Sequence, residues 1–96
     1  MPPLCVQDML PHLMTLCTTT GVSENVQLMA LQALTNFALL NDSHAPYTRI
    51  IQQLYQMIDT GSFAVQVQVL KILVNLSCND DMVPYLLAAK VRLFVS

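Results

Sequence analysis

The sequence predicts an all-α fold, a right-handed α-α superhelix made of about two and a half stacked helical repeats. Three observations lead to this prediction. The chain repeats itself at a fixed offset, apolar residues recur every three or four positions, and Gly, Ser and Asn fall where helices would end and begin. Hydrophobic residues make up 54% of the 96 residues and charged residues 10%. A chain this short buries apolar surface poorly, so some of it should meet neighbouring repeats or another chain.

The internal repeat is clearest where six residues recur unchanged at an offset of 39 positions. These pairs are Val26 and Val65, Gln27 and Gln66, Leu31 and Leu70, Leu34 and Leu73, Asn36 and Asn75, and Asp42 and Asp81. A period of about 40 residues with two or three helices per unit is typical of solenoids, whose units bury apolar faces against their neighbours. We therefore predict a single domain over 1–96, with units at about 4–40 and 41–78 and an incomplete unit at 79–96.

The first two helices are predicted from apolar spacing and capping residues. A helix from Val6 to about Thr18 places Leu10, Leu13, Met14 and Cys17 on one face. Pro11 either kinks this helix or lies in its first turn, which would move the start to about Leu10. Gly21 is expected to end it in the left-handed conformation. Ser23 is the predicted N-cap of a second helix that runs from Glu24 to about Leu40.

The second half of the chain repeats this arrangement. A loop at 41–46, with room for one short helical turn, precedes a helix from Tyr47 to about Asp59. Thr60-Gly61 should end that helix as Thr20-Gly21 ends the first, and Ser62 should cap a helix over 63–78. The alternation of Val and Gln over 65–69 is typical of a strand, but the helical copy at 26–39 favours a helix. A short helix over 82–89 and a separate element over 90–96 complete the prediction.

Composition excludes several classes of function. The net charge is −2 and the four basic residues are scattered, so no nucleic-acid partner is expected. Three cysteines, Cys5, Cys17 and Cys78, form neither a disulfide framework nor a zinc pattern and favour a reducing compartment, with Cys17 and Cys78 in apolar surroundings. No apolar run reaches about 18 residues, so no transmembrane segment is expected. No nucleophile–base pair, metal set or cofactor motif is present, so the prediction is a non-enzymatic protein without a cofactor.

A family resemblance adds to this interpretation. The segment Leu31-Gln32-Ala33-Leu34-Thr35-Asn36-Phe37-Ala38 and its counterpart at 72–77 resemble the end of the third helix of an armadillo repeat. The wider pattern, including Val67-Gln68-Val69-Leu70-Lys71 and Asn75-Leu76-Ser77, is similar to the X-linked armadillo-repeat proteins and their autosomal relatives. The resemblance implies a scaffold or adaptor for a protein or peptide partner. It also implies a place in the cytoplasm or on the cytosolic face of the mitochondrial outer membrane.

The candidate site is a line of polar residues along the inner groove of the predicted superhelix. Its members are Gln32, Asn36, Gln68, Lys71 and Asn75. Amide side chains both donate and accept hydrogen bonds, so such a line could hold an extended peptide backbone. The alternative is that Asn36 and Asn75 tie down the next loop and bind nothing. The chain would then be a purely structural module that extends an array, or that forms a homodimer through apolar ends around Leu10/Leu13 and Leu86–Val95.

Overall fold

The structure is a computed structural model that describes residues 6–95, with side chains from Met9 to Lys90. Five α-helices follow one another in this range: α1 (Val6–Thr18), α2 (Glu24–Phe37), α3 (Ile51–Thr60), α4 (Phe63–Ser77) and α5 (Val83–Val95). Two 3-10 helices, Asn41–Ser43 and Ala45–Arg49, connect α2 to α3. The described residues contain no strand, and the predicted all-α solenoid fragment is confirmed.

The helices pack as two successive pairs and one unpaired helix. α1 packs against α2, α3 packs against α4, and α2 and α4 pack side by side, while α5 lies on α3 and, less extensively, on α4. The resulting body extends 47 × 33 × 19 Å. The helix pairs follow the repeat found in the sequence, whereas the exact limits of the units at 4–40, 41–78 and 79–96 stay a prediction.

The core runs between the helix pairs. Its largest fully buried side chains include Tyr47 and a set of aliphatic residues from α1 to α4, namely Leu10, Leu31, Leu34, Ile51, Leu54, Ile72 and Leu76. Leu10 is fully buried and Leu13 is half-buried, so these two side chains do not themselves form an exposed apolar face, and a homodimer through this end stays a prediction. At the other end, the side chains from Val91 to Val95 lie outside the described set. Cys17 is buried, but Cys78 is exposed, contrary to expectation, while Cys5 lies outside the described residues.

Two equivalent serines start the helices that carry the repeat. Ser23 Oγ accepts a hydrogen bond from Val26 N at 3.3 Å, and Ser62 Oγ accepts one from Val65 N at 3.4 Å. Both serines have extended backbone, as an N-cap requires. The two predicted N-caps are therefore confirmed.

Two equivalent glutamines close the helices that come before. Gln27 Nε2 donates to the carbonyl of Cys17 at 3.0 Å, and Gln66 Nε2 donates to the carbonyl of Ile58 at 2.7 Å. The last carbonyls of a helix have no partner within the helix, so each glutamine satisfies an acceptor near the end of α1 or α3. The repeated glutamine therefore has the same structural role in both copies.

The two glycines end their helices in different ways. Gly21 has a φ of 92°, the left-handed conformation predicted for it. Gly61 instead has a φ of −83°, so the expectation of a common ending is wrong. A Cβ atom at Gly61 would lie 2.6 Å from Met57 O and 2.7 Å from Val65 Cγ1. Close packing of α3 against the start of α4, rather than backbone conformation, requires glycine here.

α1 has the predicted range, Val6–Thr18, with Pro11 inside it, so the alternative start at about Leu10 is wrong. Several other predicted boundaries are corrected. α2 ends at Phe37 rather than Leu40, and the helix expected from Tyr47 begins at Ile51 because the preceding residues form the second 3-10 helix. The two elements expected over 82–96 are one continuous helix, α5. No Gly or Pro follows Ala89, and Lys90 is a good helix former, so nothing in the sequence interrupts the helix there.

Candidate interaction groove

An open groove of about 480 Å³ lies between α2 and α4 and is called here the α2–α4 groove. Its walls come from the end of α2, the residues just after it and one face of α4. The lining residues are Thr35, Leu39, Val67, Leu70, Lys71, Val74 and Asn75. Positions 67, 70, 71 and 74 are spaced by three or four residues, so the helical period alone brings them onto one face.

The α2–α4 groove is mainly apolar and open to solvent. Leu39 is 68% exposed, Val74 59% and Leu70 48%, which is high for aliphatic side chains. Lys71 is the charged residue of the lining and is exposed. The groove can therefore bury apolar side chains of a ligand, and its rim offers one cation for a carboxylate.

Two of the predicted site residues make contacts across the junction between α2 and α4. Asn75 Nδ2 donates to the carbonyl of Thr35 at 3.0 Å. Thr35 Oγ1 donates to the Leu31 carbonyl at 2.8 Å and lies 3.4 Å from Gln68 Oε1. Asn75 and Gln68 are both half-buried. The Asn75 Nδ2 group therefore links α4 to α2, while its Oδ1 atom can still accept a hydrogen bond.

The other predicted site residues have different surroundings. Gln32 and Asn36 are both exposed and lie one turn apart on α2, the same spacing that separates Lys71 from Asn75 on α4. Within the described residues, neither Gln32 nor Asn36 hydrogen-bonds to another side chain. The groove lining thus brings together Lys71 and Asn75, keeps Gln68 on Thr35 beside it, and leaves Gln32 and Asn36 on the adjoining surface.

A polar junction that the sequence did not reveal joins the loops that follow α2 and α4. His44 is 2% exposed, and its Nε2 lies 2.6 Å from the Ala38 carbonyl. Asn79 Nδ2 lies 3.0 Å from His44 Nδ1, and Asn79 Oδ1 accepts from Asp81 N at 3.0 Å. The Ala38 carbonyl can only accept, so Nε2 carries the proton and donates to it. Nδ1 then accepts from the Asn79 amide. The only sequence signal was that His44 and Asn79 each follow a repeated helix.

A second buried group lies beneath the loop after α2. Tyr47 is fully buried, and its hydroxyl donates to the Leu34 carbonyl at 2.5 Å. Burial, together with the nearby Cys17, raises the pKa of the Tyr47 phenol well above its usual range. Burial also raises the pKa of the Cys17 thiol to about 11, although a hydrogen bond from the backbone opposes this. Cys17 is consequently protonated at neutral pH, the opposite of what an activated nucleophile requires.

Helix pairs repeated along the chain, joined by side-chain contacts and flanked by an open groove, define a helical-repeat solenoid. None of the helices in the described range is long and apolar enough to cross a bilayer. The sequence model of the armadillo-like family matches residues 4–95, and the chain belongs to that family. The predicted resemblance to armadillo repeats is therefore confirmed, and such folds are typically non-catalytic modules for protein interaction. The narrower likeness to the X-linked armadillo-repeat proteins stays a prediction. No solved structure matches the chain.

Proposed function

We propose that this protein is a non-catalytic scaffold or adaptor that binds a protein or peptide partner in the α2–α4 groove. The observation that carries the proposal is the set of exposed aliphatic side chains along the groove, Leu39, Leu70 and Val74. A group of solvent-exposed aliphatic side chains beside a positively charged residue is typical of a binding surface. The partner would bury apolar side chains there and pair a carboxylate with Lys71.

Each of the five predicted site residues has a role in this proposal. Lys71 pairs with an acidic group of the partner, and Asn75 accepts from a partner N–H through Oδ1, since Nδ2 already donates to Thr35. Gln32 and Asn36 contact the part of the partner that continues over α2. Gln68 holds the wall of the groove through Thr35. Burial of apolar side chains in the groove therefore provides most of the affinity. The hydrogen bonds of the amide side chains fix the position of the partner along the groove.

A selection experiment tests the proposed groove. Peptides selected on the full chain from a random library are remeasured on two variants, Leu39→Asp and Leu87→Asp. Leu39 lines the α2–α4 groove and is 68% exposed, whereas Leu87 lies elsewhere, on α5, and is 63% exposed. We expect Leu39→Asp to weaken binding about tenfold or more, because a charge is desolvated in an apolar site. Leu87→Asp should leave binding unchanged.

Selected peptides that bind both variants as tightly as the wild type would contradict the proposed groove. Lys71→Glu gives a second measure of the same site. It should weaken binding of peptides that carry an acidic residue, and it should reduce the dependence of their affinity on salt. Circular dichroism of each variant checks that the helices are retained.

The alternative is a purely structural module that extends a longer array or forms a homodimer. One observation favours it, namely that Asn75 and Gln68 already have partners within the chain. Sedimentation of the full chain separates the two functions. A dimer that resists Leu39→Asp, combined with a library selection that yields no ligand, would support the structural role over partner binding.

The cellular location is a separate part of the proposal. The cytosolic face of the mitochondrial outer membrane is inferred from the family resemblance, with the cytoplasm as the other location. Protease treatment of isolated intact mitochondria tests this inference. Digestion of the native protein in the mitochondrial fraction, with matrix proteins protected, supports the outer surface. Recovery only in the post-mitochondrial supernatant would favour the cytoplasm.

A further inference from the structure

A second apolar groove of about 330 Å³ adjoins the first and lies between α4 and α5. It is called here the α4–α5 groove. The residues that matter for its occupant are Leu70, Leu73, Val74 and Ser77 on α4, and Leu86 and Leu87 on α5. Val74 is 59% exposed and Leu87 is 63% exposed. The two grooves share Leu70 and Val74 but differ in their other walls, with Leu39 only in the α2–α4 groove and Leu86 and Leu87 only in the α4–α5 groove.

The internal repeat shows what kind of group covers such a face. At an offset of 39 residues, the α4 positions of the α4–α5 groove correspond to Leu31, Leu34 and Thr35 on α2 and to Ala38, its C-cap. The two sets match in size, with two leucines, one β-branched residue and one small residue in each. On α2 this face is covered, since Leu31 and Leu34 are fully buried and Ala38 is 1% exposed.

The helix that packs beside α2 at this repeat position is α4 itself. α4 packs against α2 and α3 and buries a line of apolar residues at helical spacing, Val65, Val69, Ile72 and Leu76. It also donates the hydrogen bond from Asn75 to the Thr35 carbonyl of α2. No helix within residues 6–95 takes the same place relative to α4. Within this described range, no helix that follows α5 pairs with it as α2 pairs with α1 and α4 with α3.

We propose that the α4–α5 groove binds an amphipathic α-helix of a partner protein, in the position relative to α4 that α4 has relative to α2. The occupant carries aliphatic residues at the spacing of Val65, Val69, Ile72 and Leu76, with polar residues on its opposite face. The interface would continue the one between α2 and α4 by one further repeat. Recognition of this kind is the helix-in-groove mode, read at positions i, i+4, i+7 and i+11.

A second folded copy of the chain fits this groove less well. The apolar line of α4 is already buried in each copy, against α2 and α3, so a folded copy cannot present it. Two copies could only oppose their exposed leucines face to face, without a helix in either groove. The occupant is therefore a helix that is not already packed in this fold.

The experiment uses a peptide of residues 62–77, extended by a lysine tail for solubility and carrying a fluorophore. This peptide contains α4 with its N-cap, Ser62. Fluorescence anisotropy with the full 96-residue chain should show saturable binding in the micromolar range, and circular dichroism should show a gain of helix on binding. A peptide of scrambled sequence with the same tail is the control for non-specific apolar adsorption.

Two leucine variants locate the binding site. Leu87→Asp should weaken binding of the peptide about tenfold or more, because it introduces a charge into the α4–α5 groove. Leu39→Asp changes an equally exposed leucine of the α2–α4 groove and should have no effect. Ser77→Arg, which fills the α4–α5 groove from an exposed position on α4, should act like Leu87→Asp and guards against a folding defect in one variant.

Three results would overturn the proposal. The first is absence of saturable binding to the wild type. The second is a loss of binding with Leu39→Asp that equals the loss with Leu87→Asp, which would assign the peptide to the α2–α4 groove. The third is a dimer in sedimentation that Leu87→Asp dissociates while the peptide fails to bind, which would make a second copy the occupant. None of these results depends on whether library peptides bind the α2–α4 groove, so the two proposals can fail separately.

Discussion

α2 and α4 present nearly the same face, but only α2 has it covered. Leu31 on α2 is fully buried, while Leu70, the same residue type at the equivalent position of α4, is 48% exposed. Thr35 contacts Gln68 and Asn75, while its counterpart Val74 is 59% exposed. Equivalent residues of a repeat therefore differ in energetic importance according to their neighbours. In a solenoid the same side chain is core in one repeat and surface in the next.

Replacing the two equivalent leucines should produce the largest difference between the repeats. We expect Leu31→Ala to lower the free energy of unfolding by about 3 kcal/mol, because it leaves a cavity in the core. Leu70→Ala should cost about 1 kcal/mol or less, because nearly half of the side chain already meets water. Urea unfolding followed by circular dichroism measures both. Equal losses in the two variants would mean that Leu70 is covered in solution.

The two equivalent asparagines should give a smaller difference. Asn75→Ala removes the hydrogen bond to the Thr35 carbonyl and should lower the free energy of unfolding by about 1 kcal/mol. Asn36→Ala should leave it nearly unchanged, because the Asn36 side chain is exposed and has no such bond among the described residues. Unfolding of the two variants in urea, side by side with the wild type, is the measurement. If Asn75→Ala had no effect, the bridge between α2 and α4 would have no role in stability.

The smallest expected effect, at pH 9 and below, comes from the buried thiol of the first repeat. Burial raises the pKa of Cys17 from 9.0 to about 11, so the unfolded chain loses this proton at lower pH than the folded chain. Stability should therefore begin to fall below pH 9, with a loss of about half a kcal/mol at pH 9 that grows as pH rises towards about 11. The comparison is the slope of unfolding free energy against pH for the wild type and Cys17→Ala. A slope that is the same in both would rule out Cys17 as its source.

The parts of the fold that depend on local signals could be predicted from the sequence. Ser23 and Ser62 are N-caps because a serine hydroxyl can accept from the free N–H groups at the start of any helix. Gly21 is left-handed because glycine adopts this conformation at helix ends without a steric penalty. Gly61 could not be predicted correctly from its resemblance to Gly21. Its requirement comes from Val65 and Met57, whose approach depends on how α3 meets α4. The spacing of residues in the sequence does not show how closely these atoms approach Gly61.

The candidate site was predictable to a similar extent. The helical period places Lys71 and Asn75 on one face, and both line the α2–α4 groove. The period could not show that Asn75 would donate to the Thr35 carbonyl, because that contact depends on the offset between two helices. It also gave no sign that His44 and Asn79 would meet, since each lies in a loop and the contact exists only after the repeats have stacked.

The hydrogen bonds of Gln27 and Gln66 have a consequence for how this sequence can change over generations. Each glutamine donates to a main-chain carbonyl, on Cys17 or Ile58, which is present whatever side chain stands there. The receiving position is therefore free to drift as long as its new side chain packs, whereas the donating position tolerates few replacements. Substitutions in the last turns of α1 and α3 can thus accumulate without loss of the hydrogen bond that links each helix to the next one. A repeat built in this way can diverge in composition and still retain its geometry.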